Sequence, residues 1–178
     1  KIAAREAANK KLSEQAQLEA DQQPDLRKIE LENMNSILSI RKLKVHEVPA
    51  DGHCLFASVA DQLKVRHNIT KTVQELRSAA AEHIRKHPND FSPFLFDETT
   101  MTIKEIEPYC EELENTAIWG GDLEITAFSQ IFDCPITVII NGQSPFAANP
   151  EGKNPELKLA YYKHSFGLSE HYNSLRDA

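Results

Sequence analysis

The chain has 178 residues, enough for one domain with a sizeable core plus an appendage. With 40% hydrophobic and 26% charged residues it reads as an ordinary globular chain, and no apolar run approaches the roughly 18 residues that span a bilayer. A formal net charge of −7 argues against a domain that grips nucleic acid by charge alone.

Three cysteines, Cys54, Cys110 and Cys134, are too few and odd in number for a disulfide scaffold and fit a reducing, intracellular setting. The sequon Asn68-Ile69-Thr70 matters only in a secreted chain. The chain begins at Lys1 rather than Met and reads as a piece of a longer protein, so the absence of a leader says little.

Residues 1–40 contain no Phe, Trp, Tyr or Gly. The first 22 are rich in Ala, Gln, Glu and Lys and predict a helix, which Pro24 should break. A second helix is expected over residues 25–38, with Leu26, Ile29, Met34, Ile37 and Leu38 on one face. Residues 1–41 therefore read as a charged, solvated helical arm. It is either a plain linker or a docking element whose Lys1, Arg5, Lys10 and Lys11 meet something acidic.

From Lys42 the texture changes. "KLKVHEV" predicts a short strand, and Leu55, Phe56, Val59, Ala60 and Leu63 after Cys54 predict a helix. "TVQE" (72–75) and "TIKE" (102–105) read as capping boxes ahead of two further helices. "WGGDLEITAFSQIF" predicts a turn and then a helix over 122–132. "CPITVII", "LKLAYYKH" and "SEHYNSL" predict strands, the first from its β-branched run. Helices crowd the first two thirds and strands the last, which predicts a mixed α/β (α+β) domain over 42–178, with helices packed on a short sheet.

Cys54 sits where helical periodicity begins. A helix N-terminus favours a thiolate, and Gly52 permits a tight turn whose N–H groups, with that of Cys54, could converge on an oxyanion. From position alone a small buried hydrophobe explains Cys54 equally well.

A nucleophilic cysteine needs a base. His53 is adjacent but projects differently. His83 and His87 share a helix face without the further ligands a metal site needs. His46, His67 and His164 have no evident partner. His171 and Asn173 in "EHYN" fall on one side of an extended strand, where an amide could orient an imidazole. Cys110 and Cys134 read as core residues.

"DGHCLF", "WGGDLE" and "EHYNS", in this order and spacing, resemble the OTU (ovarian tumour) deubiquitinases, and within them the OTU domain-containing protein 6 branch. The likeness covers about residues 43–175. It implies a papain-like fold and hydrolysis of isopeptide bonds at the ubiquitin C-terminus, without metal or organic cofactor. It further implies Cys54 as nucleophile, His171 as general base and later acid, Asn173 as the orienting residue, and Asp51 as support for the cysteine loop.

Residues 114–124 match the family's variable loop and 161–171 its histidine loop. Trp119, Gly120 and Gly121 are expected to line a channel for the ubiquitin tail, with Glu124 or Asp122 meeting tail arginines. The resemblance implies ubiquitin and ubiquitinated proteins as partners, the small ribosomal subunit reached through the arm, and a cytoplasmic location. It implies no membrane and no sequence-specific nucleic-acid binding. Two rivals stand beside this reading. One is a catalytically weak ubiquitin-binding or ribosome-docking module. The other is a different Cys-His-Asn acyl chemistry on small amides.

Overall fold

The computed structural model describes residues 2–22, 25–167 and 170–178. The expected breaker Pro24, and Lys1, lie outside the described residues. Helix α1 (Ile2–Gln22) is exposed over residues 2–18. Among the described residues no helix is long and apolar enough to cross a membrane.

Helix α2 (Leu26–Ile40) starts on Asp25, whose carboxylate accepts the Lys28 N–H at 3.2 Å. Here the structure departs from a solvated arm. Glu30, Met34 and Leu38 recur at four-residue spacing and are buried, while Leu26 and Ile29, expected on the apolar face, stay exposed. Met34 and Leu38 pack against Leu43, Ile139, Ala160, Tyr162 and Leu175. Burial of each side chain is worth about 1.5–3 kcal/mol. A boundary after residue 41 would cut α2 from the surface it covers, so what remains as an arm is α1.

The chain continues through β1 (Leu43–His46), α3 (Cys54–Gln62), α4 (Val73–Lys86), α5 (Pro88–Phe91), β2 (Phe96–Asp97), β3 (Thr102–Ile103), α6 (Ile106–Asn115) and α7 (Asp122–Ile131). The strands β4 (Ile136–Ile140), β5 (Phe146–Ala148), β6 (Leu157–Tyr162) and β7 (His171–Asp177) complete it.

Thr72 opens α4 with the expected capping box. Its Oγ1 accepts the Glu75 N–H at 3.1 Å, and the Glu75 carboxylate accepts the Thr72 N–H at 3.2 Å. The second expected box does not form. Thr102 pairs in a short hairpin with β2, its hydroxyl lies 2.6 Å from that of Thr100, and α6 starts four residues later without a side-chain cap.

Five strands form one sheet in the order β1-β7-β6-β4-β5, with β4 and β6 parallel and the other pairs antiparallel. Side chains alternate across it. Val138, Leu159 and Tyr172 join Phe56, Leu76, Leu113 and Phe128 in the larger core, beneath α3, α4, α6 and α7. Ile139, Ala160, Tyr162 and Leu175 face α2 on the other side. In the β6–β7 ladder His171 pairs with Tyr162 and Asn173 with Ala160. By alternation, β7 therefore places His171 and Asn173 on the face that α2 covers. The result is the expected α/β (α+β) layering, with one helix doing on one face what several do on the other.

Candidate active site

Cys54 is the first residue of α3, and its side chain is buried. Asp51 shapes the loop before it: the carboxylate accepts the His53 N–H at 2.9 Å and the carbonyl accepts the Cys54 N–H at 3.3 Å. The loop N–H groups expected to converge on an oxyanion are thus turned inward. Gly52 is required by close approach, since a Cβ there would stand 2.0 Å from the Ala117 carbonyl oxygen. Burial pushes the Cys54 thiol above its ordinary pKa, against the N–H groups of Tyr172, Leu55 and Cys54 itself, and the Asp51 charge adds to the rise. The helix-terminus pull expected from the sequence is present, but desolvation outweighs it.

His171 begins β7. Its Nε2 lies 2.7 Å from Asn173 Oδ1, which also accepts the Val48 N–H at 3.1 Å. An atom that accepts from a backbone N–H is the amide oxygen, so Nε2 is the donor of this pair. In the neutral ring Nδ1 is then the unprotonated nitrogen. Among the described residues His171 Nδ1 and Asn173 Nδ2 have no hydrogen-bond partner, although the Tyr162 phenol is near enough to feel the Asn173 amide. Burial holds the His171 imidazole below its ordinary pKa, opposed by Asn173 and by the charges of Glu47 and Asp51.

One of the N–H groups acting on the Cys54 sulfur belongs to Tyr172, the neighbour of His171, so the fold brings the thiol to the start of β7. Helix α3 is fastened there. Ser58 Oγ donates to Tyr172 O at 3.3 Å, and Gln62 Nε2 donates to Ser174 Oγ at 2.8 Å and to Leu175 O at 2.6 Å. Burial thus disfavours the charged form of both groups, pushing the thiol up and the imidazole down.

Sequence reasoning missed Arg77. This side chain of α4 is 1% exposed. Its Nε donates to His53 Nδ1 at 3.0 Å, Nη2 to Gly52 O and Ile118 O at 2.9 Å, and Nη1 to Leu113 O at 3.0 Å. The guanidinium carbon sits 4.2 Å from the Phe56 ring centre. One cation thus ties the cysteine loop to α6 and to the loop after it, and His53 serves as its acceptor. A signal existed: Arg77 shares an i, i+4, i+7 stripe with the buried Ala81 and Ile84.

The tail-channel residues divide. Trp119 is 44% exposed and, with Gly120, Gly121, Asp122 and Glu170, lines a cleft of about 690 Å³. Gly120 lies against the first turn of α3, where a Cβ would stand 2.6 Å from Leu55, whereas the space above Gly121 is open. Glu124 also lines this cleft, but not as a free acid. It is buried, accepting the Gly121 N–H at 2.9 Å and the Tyr109 hydroxyl at 2.7 Å, and burial pushes its pKa to about 7. Asp122 and Glu170 remain at the rim; Glu170 was not singled out from the sequence.

His83 Nε2 meets Gln130 Oε1 at 2.7 Å and His87 Nδ1 meets His83 O at 2.8 Å, so these nitrogens are engaged within the protein. Cys110 and Cys134 are buried, and desolvation raises both thiols to about 11.

Residues 49–172 match the family profile described as OTU-like cysteine protease. The chain is 49% identical over 183 residues to OTU domain-containing protein 2 of Saccharomyces cerevisiae, covering 100% of this chain and 60% of that protein. It is 37% identical over 182 residues to human Deubiquitinase OTUD6B, covering 94% and 62%. It is 38% identical over 173 residues to Ubiquitin thioesterase otu2 of Schizosaccharomyces pombe, covering 96% and 58%. The chain thus spans about 60% of the length of the curated relatives it matches.

Among solved structures, the OTUD1 OTU domain superposes with a TM-score of 0.67 at 19% identity, covering 85% of this chain and 97% of that one. An ovarian tumor domain in complex with ubiquitin gives a TM-score of 0.58 at 24% identity, covering 75% and 69%. These likenesses establish the fold. With the matched profile, the close relatives and a buried Cys-His-Asn arrangement in agreement, the chain belongs to the OTU family of cysteine proteases, on the OTU domain-containing protein 6 branch.

Proposed function

We propose that this chain is a thiol isopeptidase that cleaves between the C-terminal glycine of ubiquitin and a lysine of a protein or of another ubiquitin. The observation that carries the reading is the His171–Asn173 pair, whose Nδ1 has no partner among the described residues, at the start of the strand whose Tyr172 N–H reaches the Cys54 thiol. Nδ1 takes the Cys54 proton as sulfur attacks the glycine carbonyl. The Cys54 N–H, held by Asp51 at a long 3.3 Å, turns to the developing oxyanion. The imidazolium then protonates the leaving lysine amine, and a thioester remains. Water gives a proton to Nδ1 and its oxygen to the carbonyl, releasing the ubiquitin carboxylate and restoring the thiol. Throughout, Nε2–H stays on Asn173 and keeps the ring oriented.

The cleft supports this substrate. Gly120 and Gly121 in its lining suit an extended tail ending in two glycines, and Asp97, Glu98, Asp122 and Glu170, which outnumber Lys104 there, suit the tail's cationic residues. The relatives named deubiquitinase and ubiquitin thioesterase support it as well. A ubiquitin probe with a C-terminal electrophile tests the reading. Wild type should be labelled and Cys54→Ala should not; labelling that persists in the variant, or that moves to Cys110 or Cys134, overturns it.

The buried thiol and inward-turned loop N–H groups favour a second reading, in which the free chain binds ubiquitin and turns it over slowly. Binding of ubiquitin without turnover would favour it. We also infer a cytoplasmic protein that reaches the small ribosomal subunit through α1. The resemblance motivates this, and the exposure of α1 with Arg5, Lys10 and Lys11 is compatible with it.

A further inference from the structure

The segment between β6 and β7 must deliver His171 to the thiol, and it is fastened to a helix far away in sequence. Glu30 of α2 is 4% exposed. Its carboxylate accepts the N–H groups of Lys163 at 2.9 Å, His164 at 3.1 Å and Ser165 at 3.0 Å, and the Ser165 hydroxyl at 2.6 Å. Three successive N–H groups converging on one anion lock the backbone over residues 163–165. A carboxylate on a buried helix stripe is costly unless it is paired, and here every partner comes from this segment.

The next residue, Phe166, stacks on the His171 imidazole at 4.2 Å between ring centres and 30° between planes. Phe166 also meets Tyr162 edge-on at 5.0 Å, and Tyr162 is the ladder partner of His171. The bond to Asn173 holds one ring nitrogen but leaves rotation about that bond free. The stacked Phe166 supplies the missing constraint, and the clamped residues 163–165 hold Phe166.

We propose that Glu30 is a positioning residue for the general base: α2 sets the tilt of the His171 imidazole through the clamped 163–165 segment and the stacked Phe166. The proposal rests on the Cys54–His171 reading above. It makes α2 part of the catalytic apparatus, although α2 precedes the segment matched by the family profile.

The test uses the full chain with Glu30→Ala, Glu30→Gln and Ile136→Val. Each is measured for kcat and KM on a fluorogenic ubiquitin C-terminal substrate, for melting temperature, and for the NMR resonances of the His171 ring protons, which Phe166 shields. Glu30→Ala should lose about ten- to a hundredfold in kcat with KM little changed, and its His171 ring protons should move downfield. Glu30→Gln keeps an oxygen for His164 and Ser165 and should recover most of the rate. Ile136→Val, which loosens the larger core away from α2 and from Phe166, should lower the melting temperature while keeping kcat and the ring-proton positions.

Wild-type kcat in Glu30→Ala, unmoved ring protons, or an equal kcat loss in Ile136→Val would overturn the proposal. If Glu30→Ala does not fold, Glu30→Asp, one methylene short of the segment, carries the same comparison. Wild type without turnover would sink the isopeptidase reading, while the ring-proton shifts would still decide the role of Glu30.

Discussion

The two halves of the site are held by opposite ions. On the cysteine side Arg77 gathers the carbonyls of Gly52, Leu113 and Ile118 together with His53 Nδ1. On the histidine side Glu30 gathers N–H groups from three consecutive residues. A loop outside helix and sheet leaves backbone donors and acceptors unpaired, and burying them requires partners. A guanidinium with five fixed donors can join several segments at once. A carboxylate accepts from one segment that curls around it. The cysteine side is therefore a junction of three chain segments and the histidine side a clamp on one. Damage should spread further from the first.

The largest effect is expected at that junction. Arg77→Met keeps the stem near Phe56 but strands four acceptors. Unfolding in urea should show a loss of about 4 kcal/mol, and ubiquitin-probe labelling of Cys54 should collapse. A loss under about 1 kcal/mol would erase the contrast between the two sides.

Next comes the pH response of two buried carboxylates. Glu30 has four donors and sits below its ordinary pKa despite burial, so the stability it lends is present above the unfolded value and is lost as pH falls through the lower folded one. Glu124 has two donors and deeper burial, and it is pushed up to about 7. Its contribution is full below the unfolded carboxylate value and fades as pH rises through about 7. Denaturant titrations across that window should show a fall on the order of 3 kcal/mol in wild type that Glu124→Gln lacks. Identical slopes in the two proteins would contradict this assignment.

The smallest effect is on orientation. Asn173→Ala should lower turnover about tenfold, well short of His171→Ala, because the amide orients the ring whereas the imidazole moves the proton. Equal losses in the two variants would mean that Phe166 and its clamp hold little of the ring by themselves.

The parts of the site that were legible share one property: each follows from a few neighbouring residues. His171 and Asn173 lie two apart in a strand, so period-two alternation alone sets them side by side, and the 2.7 Å bond follows. Thr72 and Glu75 satisfy each other locally, and Cys54 does open a helix. "TIKE" has the same local form as "TVQE", yet Thr102 joins a hairpin, because pairing with Phe96–Asp97 competes with the helix start.

Arg77 and Glu30 look like solvated charges in their own windows. Each sits on the buried stripe of its helix, and a charge on an apolar stripe was the available sign. Glu124 and Cys54 misled for the same reason from the other side, since how far each pKa moves depends on desolvation by residues distant in the chain.

By itself, then, the sequence determined most helix and strand types, the Cys-His-Asn residues that the proposed function uses, and the family, because these rest on local spacing and ordered motifs. The tertiary structure decided which charges are buried, that α2 packs on the sheet, and that burial pushes the Cys54 thiol up. Those outcomes depend on which remote segments exclude water from a side chain, and no local pattern encodes that exclusion.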